Sequence, residues 1–357
     1  MTSRTAPLAS RWLVNPRYDL TFFIGSVVGS FAVYGFHRLL VDVFHVGLEA
    51  RSGLITFTLF TGVLDAPHIF QTFSRTHADS VEFRRHHAHI VWGLVAFLVL
   101  GEVGYLYGWF DVLLDMGAAY GVWHILAQNV GFLKIYKGLQ RDTHPWDNRV
   151  DAGLLYTIVA AGLLGQPAIT FLGPSHALGH LRIAPMLRTA VPWLQKFALA
   201  WFCILLAALL LRQAQRRLAG HALNTQKLLF LGTLLPFYGM LYFGFHLPTL
   251  VYVAVETTYH DLQYQGWVRF YQARRFPAQR SFRSRWLWGT LAIGSLIALA
   301  GFLVDPYVRL SFMKWDQPYH LFIEVPYFMI VAYHYYIDGI IWRLREAPEL
   351  RKMVFAR

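Results

Sequence analysis

Apolar stretches of about 20 residues recur along this chain of 357 residues. They lie near 20–42, 53–73, 89–109, 112–134, 151–172, 191–211, 227–247, 249–269, 286–305 and 318–342. A helix rises about 1.5 Å per residue, so each stretch matches the roughly 30 Å hydrocarbon core of a bilayer. Backbone polar groups in that core must be satisfied within the segment, which a helix does. The expected fold is an all-α polytopic transmembrane helical bundle of about ten spans. Residues 1–357 are expected to form a single integral membrane domain. Charged residues make up only 15% of the chain, against about 25% in soluble proteins.

The net charge of +12 lies in short loops between apolar stretches. It therefore reads as topology charge facing anionic lipid, and no nucleic-acid partner is expected. Arginines and lysines concentrate in alternate loops: Arg75, Arg84 and Arg85; Lys134 to Arg149; Arg212 to Lys227; Arg269 to Arg285. The other loops hold little beyond Arg51, Arg182, Arg188, Arg309 and Lys314. By the positive-inside rule both termini are cytoplasmic, and the expected location is the bacterial inner (plasma) membrane. The least distinct boundary is Phe245-His246-Leu247-Pro248. A continuous helix from Gln226 to Arg269 would run about 65 Å, too long for one crossing, so two spans are expected there. No signal-peptide h-region precedes Asp19, and the first apolar run is expected to be a retained span. Cys203 is the only cysteine, which excludes a disulfide framework and thiolate metal clusters.

Four histidines stand out. His68, His124, His260 and His334 each sit in an apolar stretch seven to ten residues before a basic residue. That spacing puts all four roughly 10–15 Å inside the basic boundary. Ionisable groups at such depth are costly and mark function by default. Three of the segments share a pattern: Trp123-His124 with Gln128, Tyr259-His260 with Gln263, and Tyr333-His334 with Asp338. Each polar group follows its histidine by three or four residues, on the same helix face. A ligating imidazole usually donates its other N–H to such an acceptor. In the fourth segment Asp65 precedes His68 by three residues, and Pro67 is placed to open the helix locally.

The four histidines are the expected metal ligands, with Asp65, Gln128, Glu256, Gln263 and Asp338 as supporting or alternative ligands. Glu256 lies one turn before His260, and a bridging carboxylate would allow two ions. Further candidates are His86, His87 and His89 at the start of the third stretch, together with His246, His320 and Glu324. All-nitrogen coordination with nearby carboxylates suits non-haem iron, one or two ions, then copper or zinc.

Isolated histidines on several spans resemble the polyhistidine integral membrane non-haem iron oxygenases and desaturases, including the carotene dioxygenases of the Brp/Blh type. Desaturases carry clustered motifs, of which this chain has only His86-His87-Ala88-His89. The resemblance implies O2 chemistry on a lipophilic substrate with an electron donor. A second arrangement is open. His246 and His260 are 14 residues apart, as are His320 and His334, which resembles the two helices of diheme cytochrome b that hold haem b for electron transfer. A third reading is an ion or proton-coupled transporter, in which His320 and Glu324 begin a polar path beside Pro326.

Overall fold

The computed structural model describes residues 12–46, 49–165, 184–304 and 323–355. Secondary structure among them is helical throughout. The helices are α1 (Pro16–Asp19), α2 (Val27–Asp42), α3 (Glu49–Phe60), α4 (Ala66–Thr76), α5 (Ser80–Arg85), α6 (Gly93–Leu106) and α7 (Phe110–Leu139). They continue with α8 (Pro145–Gly165), α9 (Ala184–Leu218), α10 (Thr225–Gly239), α11 (Thr249–Arg275), α12 (Arg280–Val304), α13 (Val325–Ile341) and α14 (Pro348–Phe355). Short π-helical turns join several of them, among them Thr61–Asp65 between α3 and α4.

Four helical segments are long and apolar enough to cross a membrane: Arg51–Thr76, Ala88–Leu106, Arg188–Leu218 and Thr225–Gly244. The pair Pro16–Ile24 and Val27–Asp42, bent by 49°, would make a fifth. Ten stretches were expected; among the described residues four or five pass on length and hydropathy together. Helices α7 and α11 are long enough but carry His124, and Glu256, His260, Asp261 and Gln263, which dilute their hydropathy. Helix α13 is described over 17 residues. The chain breaks where Pro248 required it, with residues 245–248 outside any helix.

Two compact units emerge, interleaved in sequence: Met1–Val27 with Ile125–His246, and Val28–His124 with Leu247–Arg357. In the first unit, Lys137 and Lys227 both donate to Asp151, and Lys227 also lies 3.1 Å from Asp142. Arg212 reaches Asp147 at 3.2 Å, and Arg216 reaches Asp142. Both lysines and all three acids are buried. Such charges persist away from water only because each is paired, and removing one partner would strand the other. Asn224 caps α10 by accepting from the Lys227 backbone N–H at 3.1 Å, which fixes the start of the helix that carries Lys227.

The second unit packs α11 and α12 against the α3–α4 segment, and α6 against α13. Glycines set the closest approach. A Cβ on Gly294 of α12 would fall 2.7 Å from Pro67 Cδ and 2.8 Å from the Gly62 carbonyl oxygen. Helix α12 can therefore lie against the π-turn only because neither residue has a side chain there. Between α4 and α5, Asp79 caps α5 through the Val81 and Glu82 amides and binds Arg275 at the end of α11, at 2.7 and 3.1 Å. Burial opposes ionisation of Asp79. Arg275, Tyr271 and the Val81 amide outweigh it and hold the carboxyl below its ordinary range.

Candidate metal centre

Helices α4, α7, α11 and α13 each contribute one of the four histidines, all in the second unit. Their rings close into a circuit. Centroids lie 5.2 Å apart for His68–His260, 4.9 Å for His260–His124, 5.0 Å for His124–His334 and 4.9 Å for His334–His68. Each contact is edge-on, at 68–84°. Four rings with such edges, if square, surround a point about 3.5 Å from each centroid. A metal 2.0–2.1 Å from a ring nitrogen sits about 3.2 Å from the ring centre, so the circuit is close to coordination size. All four are 1–8% exposed.

The donor set fits a cation. The Nε2 atoms of His68, His124 and His334 are buried and have no hydrogen-bond partner among the described residues. The same is true of Asp261 Oδ2 and Asp338 Oδ2. His68, His260 and His334 offer ligand atoms within 4.8 Å of one another; so do His124, His334 and Asp338, and Asp65, His68 and Asp261. Three carboxylates thus gather here, and among the described residues the ion-pair contacts they make are with histidine, not with lysine or arginine. Buried acceptors without donors, and acids without a strong base, require a positive ion or protons.

The surrounding contacts orient the rings. His68 Nδ1 lies 3.0 Å from Asp261 Oδ1 on α11 and 3.8 Å from Asp65 Oδ1. Asp65 in turn accepts from the Tyr327 hydroxyl at 2.9 Å. His334 Nδ1 is 2.7 Å from Thr72 Oγ1, which also contacts the Tyr264 hydroxyl at 2.6 Å and donates to Asp338 Oδ1 at 3.2 Å. Tyr264 donates to the same carboxylate at 3.1 Å and receives the Trp342 indole N–H at 3.3 Å. Imidazoles fixed through Nδ1 by a carboxylate or hydroxyl leave Nε2 to face a metal.

The structure brings the four histidines, Asp65 and Asp338 together. It redistributes the rest. Glu256 and Gln263 are buried on α11, but the carboxylate that reaches His68 from that helix is Asp261, and no metal-capable grouping of described residues includes Glu256. Gln128 lies about one turn beyond His124 on α7. His86 lies 3.7 Å from Glu82, His89 Nδ1 is 2.6 Å from the Tyr336 hydroxyl, and the His87 ring meets Phe83 edge-on. These contacts tie the His86–His89 segment to α5 and α13, and none of the three belongs to a metal-capable grouping of described residues. His246 is exposed in the 245–248 connection, so it and His260 do not share one helix. Glu324 is exposed just before α13, and His320 lies outside the described residues.

Sequence did not name Asp261, Thr72 or Tyr264 as partners of the histidines, although a signal was present. Thr72 follows His68 by four residues, and Tyr264 follows His260 by four, the offset used for the other partners. Comparison of the chain with protein-family models, with curated proteins and with solved structures found no match.

Proposed function

We propose that this protein is a membrane-embedded, metal-dependent oxidoreductase, of the oxygenase type, acting on a lipophilic substrate. Its metal is held by His68, His124, His260 and His334. The observation that carries the reading is the closed circuit of four buried imidazoles, three with Nε2 atoms that have no hydrogen-bond partner among the described residues, beside three carboxylates whose ion-pair contacts among those residues are with histidine alone. Non-haem iron suits this nitrogen-rich set best, as one or two ions, with copper or zinc next. Bound there with open positions, iron would supply activation of O2.

The chain's own groups hold the geometry. Thr72 holds the His334 ring from behind, and the Asp261 carboxylate lies 3.0 Å from His68 Nδ1. The Tyr335 ring lies 4.9 Å from His124 and walls one side of the cluster. The depth of the histidines favours a substrate arriving from lipid, such as an isoprenoid, fatty acyl chain, sterol or quinone. The topology that accompanies this reading is about ten spans in a bacterial inner membrane with both termini cytoplasmic. An electron donor would then meet the protein at the basic, cytoplasmic face.

Elemental analysis and an absorption spectrum of protein purified in mild detergent test the proposal. Near-stoichiometric iron without a Soret band supports it. A strong Soret band would move the function to haem, and absence of any metal after gentle purification would overturn it. His124→Ala is expected to lose the metal at least tenfold, whereas His246→Ala is expected to keep it.

A further inference from the structure

A groove of about 690 Å³ runs between α4 and α12, walled by Phe70, Phe73, Phe282, Trp286 and Ile293. Its volume falls within the range of small-molecule sites, roughly 300–1,000 Å³. Turning about 100° per residue, Phe70 lies about 200° around α4 from His68, and His77 about 180°. The groove is thus on the opposite side of α4 from the histidine circuit and is a separate site.

Its polarity is graded along its length. Arg285 and His77 stand at one end, and Phe70 and Ile293 lie toward the other. From Arg285 to Ile293 the helix covers about 12 Å, most of one hydrocarbon leaflet. The Thr290 hydroxyl in the wall is already engaged, donating to the Trp286 carbonyl at 2.8 Å and accepting from Gln71 Nε2 at 3.2 Å. The His77 ring is held by Thr76 Oγ1 at 2.9 Å and packs on Phe73 at 4.7 Å. Burial keeps His77 below its ordinary pKa, so the ring is neutral at pH 7. Arg285 is exposed and has no carboxylate within ion-pair distance among the described residues. One end therefore offers a single fixed positive charge, and the rest is hydrocarbon-like.

We propose that this groove holds one acyl chain of an anionic phospholipid, with the lipid phosphate on Arg285. A guanidinium binds phosphate oxygens in a bidentate fork. The bilayer presents such lipids at the depth of the Arg285 end and threads their chains in the direction the apolar walls run. A chain seated there would brace α4 from behind, while His68 and Thr72 face the circuit on its other side.

The experiment is native mass spectrometry of the full chain, released from detergent after incubation with phosphatidylglycerol or phosphatidylcholine. Both lipids carry the phosphate, but the choline cation cancels the headgroup's net charge beside Arg285, so the wild type is expected to retain one phosphatidylglycerol at least tenfold better than phosphatidylcholine. Arg285→Ala is expected to remove that preference, Arg285→Lys to restore part of it, and Ile293→Trp, which fills the chain end, to reduce retention of both lipids. The neighbouring Arg280→Ala is the control for bulk charge. Equal retention of the two lipids by the wild type would overturn the site, as would an Arg280→Ala effect equal to that of Arg285→Ala. Stoichiometric displacement of the phospholipid by palmitate would replace it with a free-carboxylate site. The wild-type comparison needs no variant, so a substitution that fails to fold leaves the test intact.

Discussion

Thr72 joins a histidine, a tyrosine and an acid: its Oγ1 is 2.7 Å from His334 Nδ1, 2.6 Å from the Tyr264 hydroxyl and 3.2 Å from Asp338 Oδ1. A hydroxyl has one donor and two acceptor positions. If it donates to Asp338, it accepts from Nδ1–H of His334, and Nε2 then carries the lone pair. The opposite tautomer would leave a buried N–H with nothing to meet, because Nε2 has no partner among the described residues. Donation from Nδ1–H to Thr72 is the arrangement that leaves Nε2 free to ligate. Thr72→Val, which keeps the shape and removes the hydroxyl, is expected to weaken metal binding by roughly 10- to 100-fold. Thr72→Ser should restore most of it, and Asp261→Asn should act like Thr72→Val through His68; chelator competition measures all three. Such partners were hard to read from sequence for a physical reason. A same-helix offset finds Asp65 and Asp338, but His68 takes its nearer carboxylate, Asp261, from another helix.

At the scale of elements, the Arg51–Thr76 segment is one continuous helical run that widens into a π-turn just before Pro67. Proline lacks the N–H that would continue the helix ladder, and the π-turn Thr61–Asp65 ends two residues before it. Sequence located that opening, but the use made of it came from α12, whose Gly294 packs onto Pro67 and Gly62. Gly294→Val would drive a side chain into backbone and ring atoms and is expected to cost about 1–3 kcal/mol, read as a lowered melting temperature in detergent. The α4–α5 connection adds a pH dependence. Because the folded state holds Asp79 below the unfolded value of about 3.9, its contribution is full above that pH. It is lost as the pH falls through the lower folded value. Asp142 behaves alike: burial opposes its ionisation, but Lys227 and Arg216 prevail and keep its pKa low. Melting temperature should therefore fall on acidification below about pH 4, and Asp79→Asn should flatten part of that fall.

For the molecule as a whole, alternation of apolar stretches and basic loops makes the most direct prediction. In a Cys203→Ser background, Leu218→Cys and Tyr107→Cys both place a thiol at an exposed position. A membrane-impermeant maleimide added to intact cells should label Tyr107→Cys and spare Leu218→Cys; the reverse pattern would invert the topology. Sequence by itself determined the helical class and the presence of several long apolar segments, because mean hydropathy and period are local properties that a bilayer reads one segment at a time. It also named the four histidines, since depth follows from counting residues along a helix. Only the tertiary structure decided that their rings close into one circuit 4.9–5.2 Å on a side. Which acid stands behind which imidazole was likewise settled by packing, because rotation about each helix axis depends on neighbours such as Gly294 and Pro67 that no single segment encodes.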